Sequence, residues 1–573
     1  MIRFLRTRFF RREARTDPAS TLEEYLRVYH DRLDRPEVLT IGELEAVHCR
    51  FQSSLHQRAG AEEPNVSAFL YSVLRLPDCV DRVSRVVIGP GEPVFVQAGY
   101  ADVAAWPRVS ARARRRRSHY NGRGTLAIFV TSISDLDDLV PALCAFQIEW
   151  NKMHRLLSRG PLGKDLAGGR VAASRAGQEV RRSLGLGEAD WELLRRVWER
   201  DWDAKISALA REPRSLTVER LPLRSPDFHE AAAGWWDKVG ECFGLGSTED
   251  RPIYIVSSNT HGLANLVSGV AAAREGELVD FIMDQDPEGL RRAWRSSSRD
   301  PDRNRFDLLY YALRYYLERH PEAKAEKTAR EEAAGLTRHL PDHYPFLEAQ
   351  RIELGRLDPK ALDPRLEVAR PEALARSRAW ILNMDYPLGL AAYHLLSHAC
   401  RRFTRMKGVF ILGKSAATIG RLGDIMIPGE VHDAHSGNRY LFRNRLTIRR
   451  LVPFLNRIAA FEDQKSITVR GTFLHGRDTV RDLTRDDFTG IEMEAGPYLA
   501  ALYEHFTGRS PTRNRVLSLE APPGFSLGLL HYTSDTPYNV RASLLSRRLG
   551  LTGLEAAYAS SLAILQYIID QES

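Results

Sequence analysis

The stretch TGIEMEAGPYLAALYEHF, residues 489–506, sets two carboxylates, Glu492 and Glu494, about a methionine. They stand where an apolar strand pattern gives way to an apolar helix pattern. A third acid, Asp535, lies in YTSDTPY, and Asp424 in LGKSAATIGRLGD is a fourth candidate. Acids gathered at one cleft suit chemistry at a sugar. A carboxylate can hold ring hydroxyls, a carboxylic acid can protonate a leaving group, and negative charge favours an oxocarbenium-like transition state.

Such acids act together only if the fold brings their loops together. Beyond Pro371 the pattern alternates strands and helices. SRAWILNMDYPLGLAAYHLLSHACRR reads as strand, turn and helix, and GVFILGKSAATIGRLGDIMIP as strand, glycine-containing loop and strand. QKSITVRGTFL is a further strand, IEMEAGPYLAALYEHF a strand entering a helix, and GLEAAYASSLAILQYIID a closing helix. This alternation predicts an α/β fold, with a mixed, mostly parallel sheet covered by helices on both faces. Ligands of such sheets sit at the strand C-terminal ends. The loops LGKSAATIGRLGD, VRGTF, GIEMEAG and YTSDTPY are expected there.

Upstream, PIYIVSSNTHGLANLVSGVAAARE is a strand, a polar loop and a helix. Asn259 in that loop is a candidate for phosphate or ribose contact or, equally, for a helix cap by Ser258 or Asn259; the nucleotide P-loop pattern is absent. Residues 284–370 are charge-dense and helical in pattern, with acids and bases spaced for i,i+4 pairing. They read as a helical insertion in a domain spanning 223–573. Residues 1–222 read as a separate N-terminal α+β domain of open role. Within it, RVVIGPGEPVFVQAG reads as strand, turn and strand, and GTLAIFVTSISDLDDLVPALCAFQIEWNKMHRLL as a buried strand followed by a long helix with an Asp-rich start.

The 573-residue chain, 43% hydrophobic and 27% charged, has the composition of a soluble globular protein. It has no run of about 18 apolar residues, so a membrane span is not expected. Its 5 cysteines are scattered without a CxxC pair, which fits a reducing, cytoplasmic setting and no standard zinc framework. The net charge of +8 is spread along the chain, with two basic concentrations, MIRFLRTRFFRREAR at the start and RARRRR at 112–117. The start reads as a surface helix or basic tail. The RARRRR run reads foremost as a solvated loop; polyanion binding stays open, but nucleic acid is not the expected partner. His394 and His398 share a helix face without a third ligand, and His432 and His435 read as polar loop residues, so no metal is expected.

The C-terminal part resembles the nucleoside phosphorylase and nucleosidase superfamily, which includes AMP nucleosidases. GIEMEAGPYLAALYE is similar to the family's V-E-M-E-A-A signature, YTSDTPY to its S-D loop, and ILGKSAATIGRLGDIMIP to its glycine turn followed by G-D. The resemblance implies that Glu494 holds the ribose hydroxyls, that Met493 packs near the sugar and that Glu492 lies beside base or sugar. It implies Asp535 as the acid that protonates the base, oriented by Ser534. Gly413, Lys414 and Ser415 would contact phosphate or ribose, joined by Arg470 and Thr472 of VRGTF. Phe410–Leu412 stand where bacterial hexameric phosphorylases carry a phosphate-binding arginine. The expected activity is therefore cleavage of the N-glycosidic bond of a purine nucleoside or nucleotide, with hydrolysis preferred to phosphorolysis. No cofactor is expected beyond inorganic phosphate as a possible co-substrate, and the resemblance implies a homo-oligomer. The rival expectation is a nucleotide-sensing or scaffold protein that keeps the fold without turnover.

Overall fold

In the computed structural model the described residues are 18–35, 37–130, 132–199, 201–222, 225–297, 301–341, 345–537 and 549–573. The basic start at 1–17 lies outside them. Six strands make a first sheet: β1 (Leu39–Thr40), β2 (Arg85–Gly89), β3 (Arg108–Ala111), β4 (Arg114–Tyr120), β5 (Thr125–Phe129) and β6 (Thr217–Arg220). Their order is β1-β6-β2-β5-β4-β3. The central trio β6, β2 and β5 is parallel, and the outer strands pair antiparallel. The 26-residue helix Ile133–Ser158 follows β5 and is mostly buried.

Eleven strands form the second sheet. They are β7 (Ile253–Ser257), β8 (Leu336–His339), β9 (Ala349–Glu353), β10 (Trp380–Met384), β11 (Met406–Ala417), β12 (Ile425–Asp433), β13 (Asn438–Phe442), β14 (Ala460–Thr468), β15 (Phe488–Glu492), β16 (Val516–Leu519) and β17 (Ser526–Asp535). β7 and β10 are buried at every position, as strands covered on both faces must be. β7, β10, β11 and β17 run parallel. The fold is α/β with mixed sheets.

The second sheet also closes on itself. β11 leaves β7 beyond Ile411 and pairs antiparallel with β15 through Ala416 and Ala417. β17 lies between β11 and β12, and β14 links β12 to β15. The ring β11–β17–β12–β14–β15 is thus a small barrel. Its closure depends on strands long enough to change partners along their length, which local patterns do not encode.

Four local expectations are corrected. Residues 412–417 are strand, and the glycine turn is confined to 418–424, with Gly420 and Gly423 at positive φ. The segment after Gly91 is a short helix, Glu92–Gln97, with proline in its first turn, instead of a second strand. RARRRR is no loop, since Arg114–Arg117 open β4. The insertion contributes β8 and β9, which extend the sheet edge beyond β10. Among the described residues no helix is long and apolar enough to cross a membrane.

Candidate functional site

The site is built where β11, β15 and β17 meet. Ala416 pairs with Ile491 of β15 on one side and with Asp535 of β17 on the other. Strand spacing puts Asp535 about 10 Å from Ile491, the width of a small ligand's ring system. The β17 register shifts at this point: Ser415 faces Thr533 but Ala416 faces Asp535, so Ser534 is an extra, bulged residue. A bulge re-aims the side chain that follows it, here Asp535.

β15 ends at Glu492, and the helix Ala495–Thr507 begins with Glu494 at its N-cap. Glu492 is 2% exposed. One of its oxygens accepts the Thr468 hydroxyl, and the other accepts the amides of Glu494 and Ala495, both at 2.7 Å. Thr468 in turn accepts the Gly496 amide at 2.7 Å. These contacts satisfy the first orphan amides of the helix. Glu492, expected beside base or sugar, is therefore a helix cap with both oxygens engaged.

Glu494 is partly exposed and free to face a ligand. Burial, followed by the nearby Glu492 carboxylate, pushes its pKa up to about 8, against the opposing pull of Arg114. Burial also pushes Glu492 up to about 7, although its three donors favour the charged form. Two close acids do not ionise together readily, so Glu492, whose oxygens accept three hydrogen bonds, takes the charge first and Glu494 keeps the proton.

The roof over these acids comes from the first sheet. Arg114 of β4 donates to both oxygens of Asp138 at 2.7 and 2.9 Å and lies 3.9 Å from the Met493 sulfur. Arg116 joins Asp138 at 2.6 Å and Asp135 at 2.7 Å. Burial would raise the Asp138 pKa, but Arg114 and Arg116 override it and hold that carboxyl well below its usual range. Arg115, on the opposite face of the strand, pairs with Asp385 just beyond β10. Arg75, its guanidinium 3.2 Å from the Tyr71 ring centre, lies within the electrostatic reach of both Arg114 and Asp535. The period-two alternation of RARRRR, with SISDLDDL just downstream, was the sequence signal for this network.

Other expected site residues tie the roof to the sheet. Arg470 donates to Asp137 at 3.0 Å and Thr472 to Asp138 at 2.9 Å, so both are occupied by the Asp-rich helix start instead of standing free for a ligand. Phe473 and Leu474 beside them insert into the core of the first sheet. Gly471 permits this approach: a Cβ there would stand 2.3 Å from the Asp137 carbonyl oxygen. Gly413 is also a packing glycine, since a Cβ would meet the His531 ring at 2.7 Å; it makes no loop for phosphate. Ser415 is buried in β11, its hydroxyl without a partner. Met493 sits in an apolar cluster with Ile467, Val469 and Ile491. Asn259 accepts the amides of His261 and Gly262 at 3.0 and 2.6 Å, the capping role, while also lining a cavity. Lys414 is the exposed residue between buried Gly413 and Ser415, and it projects into that same cavity.

His398 bonds the His229 carbonyl at 3.0 Å, and its pKa falls to about 4 through burial and the neighbouring His229. His432 lies within β12, not in a loop. His435 bridges Asp433 at 2.8 Å and Ser134 at 3.2 Å, another tie between roof and sheet. Among the described residues no group of three or more His, Cys, Asp or Glu side chains is arranged to hold a metal.

A family model matches residues 41–570, running through both sheets. The chain belongs to DUF6909, a family of unknown function. A search of curated sequences finds no match to this DUF6909 member. Among solved structures it is similar to a 5′-methylthioadenosine/S-adenosylhomocysteine nucleosidase from Neisseria meningitidis, at 10% identity and a TM-score of 0.29, over 56% of this chain and 99% of that one. An S-adenosylhomocysteine nucleosidase from Streptococcus pyogenes is matched at 9% identity and a TM-score of 0.30, over 57% and 99%. Uridine phosphorylase from Schistosoma mansoni is matched at 10% and 0.30, over 56% and 87%. The chemistry of the DUF6909 site accordingly rests on its own residues.

Proposed function

We propose that the chain cleaves the N-glycosidic bond of a purine nucleoside or nucleotide by hydrolysis. The observation that carries this reading is the pairing of Ala416 with both Ile491 and Asp535, which brings the ends of β15 and β17 to one cleft. Glu494 then faces the sugar and Asp535, re-aimed by the bulge, faces the base. The resemblance of GIEMEAG and YTSDTPY to the superfamily's signatures supports the same roles.

Glu494 would hold the ribose hydroxyls; largely protonated near neutral pH, it can both donate and accept. As the bond from the anomeric carbon to the base nitrogen breaks, its electron pair leaves with the base, and Asp535 delivers a proton to the purine ring. Water adds to the anomeric carbon and gives up a proton, so atoms and charge balance. Positioned general acids of this kind contribute about 10²- to 10⁴-fold in rate. The roof of Arg114, Arg75 and their partners narrows access by water to the reacting atoms, which strengthens the electrostatics inside.

The test is to incubate the protein with purine nucleosides and nucleotides, with and without phosphate, and to measure free base. Release without added phosphate, lost in Asp535→Asn while the protein stays folded, is the expected result. Dependence on phosphate would replace hydrolysis by phosphorolysis. Tight binding with no release from any substrate would overturn the enzyme reading.

A further inference from the structure

A cavity of about 590 Å³ opens beside this site, between the ends of β7, β11 and β17 and the helices Pro301–Arg319, Glu322–Ala333 and Leu549–Glu572. That volume is in the range of small-molecule sites. Its floor includes Lys414, Asn259 and Ser534, next in sequence to Asp535. Its walls are apolar and aromatic, with Tyr310, Tyr311, Leu317, Tyr558 and Ala557 among them.

The charge in it is unevenly neutralised. Arg338 is held by Glu331 and Glu348 at 2.7 Å each, Lys327 by Glu331 at 2.5 Å, and Arg314 by Glu318 at 3.9 Å. Lys414 and Lys324 have no carboxylate partner among the described residues. Lys414 is the more telling of the two. It is the exposed cation of a mostly buried strand, its ammonium 6.0 Å from the Tyr532 ring centre. The buried hydroxyl of Thr533, which lines the same cavity, also lacks a partner among the described residues. A lysine free of carboxylate partners at the floor of an aromatic-lined cavity suits an anion with an apolar body.

Lys414 and Ala416 share one face of β11, about 7 Å apart by strand geometry. Because Ala416 pairs with Asp535, an anion on Lys414 lies roughly one sugar's length from the acid. We propose that the cavity seats the 5′ end of the substrate, with an anionic group on Lys414 and an apolar or aromatic substituent beyond it among Tyr310, Tyr311 and Leu317. This rests on the nucleoside-cleaving reading and narrows its substrate class to nucleosides with a 5′-phosphate or 5′-phosphate ester.

The experiment measures binding by calorimetry for adenosine, adenosine 5′-monophosphate and adenosine 5′-(phenyl phosphate), alongside base release from each. The expected affinity order is phenyl ester, then monophosphate, then adenosine. Lys414→Met should cut the monophosphate-to-adenosine affinity ratio about tenfold, and Ala557→Phe, which fills the wall, should remove the advantage of the phenyl ester over the monophosphate. Thermal unfolding confirms that each variant is folded. Equal affinity for adenosine and its monophosphate, or a ratio untouched by Lys414→Met, overturns the inference even if base is released. Lys414-dependent binding without base release keeps the seat and overturns the catalytic reading instead.

Discussion

Arg114 lies 3.9 Å from the sulfur of Met493, although 379 residues separate them in the chain. This contact joins the first sheet to the strand-to-helix junction that carries Glu494. It makes the arginine-rich β4 part of the wall of the candidate site. Arg114 therefore has two jobs: it neutralises buried Asp138, and it sets the field felt by Glu494.

Removing that charge should be severe. Arg114→Met leaves Asp138, whose side chain is fully buried, with Arg116 as its remaining ion-pair partner among the described residues. Breaking a buried pair in this way costs about 3–5 kcal/mol. Urea unfolding should show a loss of that order. Arg114→Lys should recover part of it, because the charge remains but the two-pronged geometry does not. A loss under 1 kcal/mol for Arg114→Met would show that the network is not structural.

Gly471→Ala tests how the roof is docked. The added methyl collides with the Asp137 carbonyl, which is backbone and cannot swing aside. The expected destabilisation is roughly 1–3 kcal/mol, with faster proteolysis of the 469–475 loop. Unchanged stability and protease resistance would mean that the loop does not need this close approach.

Glu492→Ala removes the acceptor for two helix amides. Helix caps are worth about 0.5–2 kcal/mol, and denaturant midpoints should fall accordingly. Glu492→Gln, which keeps an acceptor oxygen, should lose less. Equal losses for the two variants would contradict the capping role.

The acids also predict a pH dependence. Glu494 and Glu492 have folded-state pKa values raised to about 8 and about 7, so the folded state holds protons that the unfolded chain has released. Their contribution to stability is complete below the unfolded carboxylate range, near pH 4, and is lost as pH rises towards 8. Urea midpoints measured across pH 5–8.5 should fall with rising pH, and Glu494→Gln should flatten the slope. A slope as steep in that variant as in the native chain would locate the titration elsewhere.

Much of the second sheet was legible locally. Continuous apolar runs such as IYIV and WILNM mark strands buried on both faces, and the glycines and prolines around them mark the turns. The positions of Glu494 and Asp535 at strand ends were readable for the same reason. LGKSAA reads as a loop because glycine and small polar residues there look like a turn, yet it is strand. Gly413 is a glycine because a Cβ there would collide with the His531 ring. RARRRR reads as a solvated loop because four consecutive arginines resemble a solvated face, yet Arg114–Arg117 lie in β4. Their acidic partners, Asp135, Asp138 and Asp385, identify themselves only in three dimensions.

Periodicity and turn chemistry act over a few residues, so the α/β class, most of the strands and the acids at the junctions are written in local pattern. Only the packing of the whole chain shows that Glu492 caps a helix while Glu494 stays partly exposed, that Arg470 and Thr472 bind the roof, and that Lys414 lines a cavity with no carboxylate partner among the described residues. Those outcomes depend on which charges meet across hundreds of residues and how much water they lose. A one-dimensional pattern carries no record of desolvation.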